Sequence, residues 1–149
     1  MTTALPARRR RARLGATDWL LLGEGLAALA AASLAIRLLP FRKVAAAASH
    51  GSGDAVPDEA RLRKLRWAVT AWSRRVPWRA VCFQRGLAFH WMLQRRGIAS
   101  RLHYGVAPNA DGTISAHVWI SVGGRDWMGG DEASRFECLK IFPEGHGKA

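Results

Sequence analysis

Cys82-Phe-Gln-Arg85-Gly-Leu-Ala-Phe, running on to Arg95-Arg96-Gly97-Ile98 and followed by Ala116-His117-Val118-Trp119, is the stretch whose reading decides the fold. Its first part reads as a helix from about Arg79 to Arg96. Gly97 suits the C-terminal cap, and Arg95 and Arg96 suit the negative helix end. Cys82 then falls in the first turn, where backbone N–H groups have no intrahelical acceptor. A sulfur placed there faces the positive end of the helix dipole, which favours an anion. The free amides can also donate to a developing oxyanion. Taken alone, Cys82 reads better as a buried core cysteine. A histidine on a nearby strand changes the balance, because it can take the thiol proton and later return it.

That histidine sits in an alternating segment. Ile114, Ala116, Val118, Ile120 and Val122 make one apolar face, and Ser115, His117, Trp119 and Ser121 point the other way. His117 is thereby set apart from the aliphatic positions. A strand over Ser100 to Val106 precedes it, joined by a turn at Pro108 to Thr113. Gly123-Gly124 predicts a two-residue hairpin turn, after which Arg125 to Gly130 pairs back. Counting from the turn, Val122 faces Arg125, Ser121 faces Asp126 and His117 faces Gly130. Asp126 then lies roughly 13 Å from His117 at about 3.3 Å per residue, too far for a hydrogen bond. A bulge at the glycines would swing Asp131 towards His117, with Glu132 as the weaker alternative. An ordinary turn role for Asp131 stays open.

Upstream, Leu62, Leu65, Val69, Trp72 and Val76 form an apolar stripe on a helix from Pro57 or Asp58 to Arg75. Pro77 ends it, and Trp78 either walls the site or fills core. His50 to Val56 reads as a polar linker. Before it, the apolar run Trp19 to Leu39 follows five arginines in the six positions Arg8 to Arg13. This combination can imitate a signal peptide or a membrane span. Glu24 and Arg37 interrupt the run, so a packed helix from Asp18 to Leu39 fits better, with Thr17 or Asp18 at its start and Pro40 at its end. Contact with a membrane surface is the alternative. Three segments are therefore expected: a disordered basic tail over residues 1–16, an N-terminal helical segment over 17–49 and a domain carrying Cys82 and His117 over 57–149.

Composition narrows the class. The chain has 149 residues, a formal net charge of +12 and two cysteines, Cys82 and Cys138. Two cysteines are no disulfide framework and fit a reducing cytoplasm. The five histidines are scattered and no Cys/His pair has ligand spacing, so neither a metal nor another cofactor is expected. The positive charge alone does not choose a partner. No zinc-finger, helix-turn-helix or RNA-stacking pattern is visible, so nucleic acid is not expected.

In their order and spacing these motifs resemble the transglutaminase-like cysteine peptidase family that removes the leader from lasso-peptide precursors. The resemblance rests on Cys82-Phe-Gln-Arg85-Gly-Leu-Ala, Leu93-Gln-Arg-Arg96-Gly97-Ile98, Arg101-Leu-His-Tyr-Gly105-Val106 and Ala116-His117-Val-Trp119 with Gly124-Arg125. Arg37-Leu-Leu-Pro40-Phe41-Arg42 resembles the family's N-terminal segment. The resemblance implies a papain-like or transglutaminase-like α+β fold, with Cys82 as nucleophile and His117 as general base and acid. It also implies an orienting Asp on the next strand. The matching position, twelve residues after His117, is Gly129 here, and Asp131 has the same strand parity. The chain resembles the stand-alone form of the family, without a leader-recognition domain. Its implied partners are a lasso precursor peptide, a separate leader-recognition protein and an asparagine-synthetase-like lasso cyclase. A transglutaminase or amidase with the same thiol chemistry, and a noncatalytic scaffold of a membrane-associated maturation complex, are the rival readings.

Overall fold

The computed structural model describes residues 13–50, 53–55 and 57–144. As far as residue 12, the expected basic tail lies outside them. Four helices, α1 (Ala16–Leu38), α2 (Phe41–Ala48), α3 (Glu59–Ser73) and α4 (Cys82–Gln94), precede strands β1 (Arg101–Pro108), β2 (Ile114–Val122) and β3 (Arg125–Met128). A 3-10 turn over Gly130–Arg135 leads into β4 (Glu137–Phe142). The sheet is antiparallel in the order β3-β2-β1-β4, which makes the fold α+β, as expected.

The helix starts follow from local chemistry. Gly15, rather than Thr17 or Asp18, caps α1, while the Asp18 carboxylate reaches back to accept from the Gly15 N–H at 3.1 Å. Asp58 caps α3 and accepts from the Ala60 N–H at 3.2 Å. Pro40 ends α1 and at once caps α2, a short helix that the reading of Pro40 as a plain stop misses.

Leu22, Gly25, Leu29, Ala32 and Ser33 of α1 are buried at helical spacing. This inner face packs on α3 and α4. At Gly25 a Cβ would come 2.8 Å from the Ala68 carbonyl oxygen, so α1 and α3 approach at a distance only glycine permits. Trp72 Nε1 donates to the Leu22 carbonyl at 2.8 Å, and Trp78 Nε1 to Ser33 Oγ at 2.9 Å. Arg96, at the end of α4, holds both oxygens of Glu24 at 2.7 and 2.6 Å. Leu29, Ala32, Val44 and Ala48 belong to the same core as Leu65, Leu87, Phe89 and Ile120. The N-terminal helical segment therefore shares one core with the rest of the protein. By length and composition α1 could also cross a membrane.

Helix α4 lies on the Val118 and Ile120 face of β2, closely enough that a Cβ at Gly86 would come 2.7 Å from Val118 Cγ1. Gly123 and Gly124 both have positive φ and form the expected tight turn. Val122 faces Arg125 and Ser121 faces Asp126, as the count predicts. The register then shifts so that Ile120 faces Met128, which leaves Trp127 as the extra residue. The bulge thus falls before the glycines rather than at them. Strand β3 ends at Met128 instead of running to Gly130, because Gly129 adopts φ 75° and turns the chain into the 3-10 segment. Strand β4 is unanticipated; it pairs with the free edge of β1 and exposes four of its six residues.

Candidate active site

Cys82 is the first residue of α4 and is half-buried. Gln84 fixes the start of this helix by accepting from the Val81 N–H at 3.1 Å. The first intrahelical bond is Arg85 N–H to Val81 O at 3.1 Å, so the Cys82 and Phe83 amides precede the hydrogen-bonded ladder. Cys82 Sγ lies 4.0 Å from the carbonyl oxygen of Ala116, the residue before His117. The close approach at Gly86 sets this meeting, since it lets the first turn of α4 rest against β2. Cys82 and Cys138 are both free thiols.

His117 is 7% exposed although it faces away from the aliphatic side of β2. Its ring is flanked by Phe136 at 4.9 Å and Trp119 at 6.1 Å between centroids. Trp119 in turn stacks on His103 at 5.2 Å, so an aromatic column covers this face of the sheet. Strand parity alone leaves the face open; Phe136, from the chain after the 3-10 turn, closes it over His117.

The Nε2 atom of His117 is 2.7 Å from the Gly129 carbonyl oxygen. A carbonyl only accepts, so Nε2 carries the proton and Nδ1 presents a lone pair. The orienting contact thus comes from the residue twelve positions after His117, through its backbone. Positive φ at Gly129 supports this contact: a Cβ there would come 2.6 Å from Val118 O and 3.3 Å from His117 Nε2. Asp131 stands on the rim of the same cleft with its carboxylate exposed, and Glu132 lies beside it. Neither makes a hydrogen bond to His117. Asp126 lies in a separate depression with His103 and Ser121.

Cys82 and His117 line one cleft of about 340 Å³, floored by Val118, Met128 and Gly129. Arg66, Thr70 and Arg74 of α3, with Arg85 of α4, form its other wall. Trp78 is not part of it. Trp78 lines a separate groove of about 440 Å³ along α1, which contains no cysteine or histidine. At the sequence level Gly129 is seen only as the place where an acid is missing, not as a carbonyl partner, and Phe136, between the 3-10 turn and β4, carries no signal. The arginines of the wall are visible by type but not by place.

This geometry brings together a free thiol, an imidazole of defined tautomer and amides that precede the helical ladder, in one cleft. A family model described as the transglutaminase-like superfamily matches residues 25–140. No curated protein and no solved structure matches the chain.

Proposed function

We propose, from the premise that the chain belongs to the transglutaminase-like superfamily, that it is a thiol peptidase which removes the leader from a lasso-peptide precursor. Cysteine-protease or acyltransferase-type chemistry accompanies such a domain, and the cleft fits the first step of either. His117 Nδ1 takes the proton of Cys82, and the thiolate attacks the carbonyl at the leader–core junction. The resulting oxyanion forms beside the Cys82 and Phe83 amides. Protonated His117 then delivers its proton to the leaving amine. With the proton gone, it activates water to hydrolyse the thioester. Throughout, the Gly129 carbonyl holds Nε2–H and so keeps Nδ1 unprotonated and free to act as the base.

The observation that carries this reading is the meeting of Cys82, at the start of α4, with His117 held by Gly129, in one cleft. The motifs around both residues support the leader-peptidase assignment. A leader-recognition protein acting in trans would present the precursor, and an asparagine-synthetase-like cyclase would consume the freed core. Mass spectrometry of the precursor incubated with the enzyme and a leader-recognition protein tests the assignment. Two fragments whose masses sum to precursor plus one water support cleavage. Loss of ammonia with cross-linking would instead assign a transglutaminase, and an unchanged precursor would count against both.

A further inference from the structure

We propose that the arginine wall of the Cys82 cleft is a carboxylate-binding subsite, which takes an acidic side chain of the peptide beside the bond to be cut. The proposal rests on the reading of this cleft as the place where a peptide is cleaved, and it names what that peptide carries.

Arg66 and Thr70 on α3 and Arg74 at its C-cap recur every four residues, so they form one stripe along the cleft. Arg85 stands three residues after Cys82 and therefore one turn along the same side of α4. Among the described residues, Arg66, Arg74 and Arg85 have no acidic partner, as is true of every described arginine except Arg63, Arg95, Arg96 and Arg125; what sets the three apart is that they line one cleft with Cys82. The Nε of Arg85 is moreover buried without any hydrogen-bond partner.

A buried unpaired N–H is costly, because desolvation is not offset by a protein acceptor. That Nε is closed to solvent, so an acceptor arriving with the substrate would meet the cleft-lining remainder of the guanidinium. Guanidinium groups match a carboxylate best, since the planar fork donates two parallel hydrogen bonds. Asp131 and Glu132 also line the cleft, and their charge disfavours an anion beside them, which leaves the arginines as its place. A bound acid is thereby held about one helical turn from Cys82.

The test compares alkylation of Cys82 in the full chain by iodoacetate and by iodoacetamide, resolved by peptide mapping. Cys138 is exposed on the edge strand β4, two strands across from His117 and outside the Cys82 cleft, so it serves as the reference for the overall positive charge. The expected iodoacetate-to-iodoacetamide rate ratio at Cys82 exceeds that at Cys138 by about tenfold. Arg85→Gln, and separately Arg66→Gln with Arg74→Gln, should bring it down to the Cys138 value. Arg61→Gln, outside the cleft, should leave it unchanged. Equal ratios at the two cysteines, or a ratio unmoved by the cleft variants, would overturn the subsite. Should Arg85→Gln fail to fold, the exposed α3 pair decides. Because no precursor is used, this outcome is independent of the leader-peptidase assignment.

A second arm identifies the source of the carboxylate. A C-terminally amidated peptide with an internal glutamate should protect Cys82 from alkylation. Protection only by the glutamine peptide with a free C-terminal carboxylate, or by neither peptide, would overturn the side-chain proposal.

Discussion

Gly129 does two things at its position, and the first favours glycine. Its φ of 75° turns the chain out of β3, and its carbonyl takes the Nε2 proton of His117. Gly129→Ala introduces a Cβ 2.6 Å from Val118 O in a backbone region costly for L-residues. The expected cost is about 1–3 kcal/mol. A lower urea midpoint and a loss of cleavage beyond what the unfolded fraction explains are the measured outcomes. Asp131→Ala should reduce kcat/KM by no more than about threefold, because the ring is already held by the backbone. A collapse of activity in that variant, with unchanged stability, would return the orienting role to Asp131. Cys82 and His117 were legible in the sequence because their chemistry lies in the side chain. The partner of His117 was not, since a backbone carbonyl leaves no mark on residue type. Only the spacing of twelve positions pointed to Gly129, and there a glycine looks like a gap.

At the scale of elements, α4 and β2 carry the site, and their contact depends on Gly86. Gly86→Val would push against Val118 Cγ1, 2.7 Å from the new Cβ, and lift the first turn of α4 from the strand. Slower alkylation of Cys82, lower Tm and lost activity should appear together. Glu24 and Arg96 pin the other end of α4 to α1. Glu24→Ala leaves Arg96 in a half-buried place with only the Met92 carbonyl as acceptor and should cost about 2 kcal/mol, read from denaturant melts. Strand β2 and helix α3 were readable because one-sided burial imposes a period of two or of three to four. Strand β4 was not, because Glu137, Cys138, Leu139 and Lys140 are all exposed and leave no alternation. The hairpin count held through Asp126 and then failed at Trp127, since a bulge is a packing outcome that residue types do not encode.

For the molecule as a whole, buried histidines tie stability to pH. His90 Nε2–H donates to the Ala48 carbonyl at 2.8 Å, and Ser100 Oγ donates to Nδ1 at 2.8 Å, so the ring is held neutral. Burial pushes its pKa below the ordinary 6.5. The same cause lowers that of His103, with Asp126 opposing and Arg101 assisting. Below about pH 6.5 the unfolded chain gains protons that the folded chain does not, so stability falls as the pH falls. Glu24, held low by hydrogen bonds from Arg96, adds stability above its ordinary value of 4.5 that is lost on further acidification. Urea midpoints at pH 7.5 and 5.5 should therefore differ, and His90→Gln should flatten part of that difference. An equal or higher midpoint at pH 5.5 would refute the assignment of neutral buried rings. Helix α1 belongs to this whole-molecule scale too. Trp19, Leu20, Leu34 and Leu38 remain exposed on it while Leu29 and Ala32 are buried, so a hydropathy run alone could not decide how it packs.

Cys82 stands at the centre of the account, and its removal is the most direct test. The precursor is incubated with the leader-recognition protein and either wild-type enzyme or Cys82→Ala, whose fold is verified by an unchanged circular dichroism spectrum. Wild type should yield leader and core fragments, and Cys82→Ala should leave the precursor intact. Full cleavage by the folded Cys82→Ala protein would contradict the account.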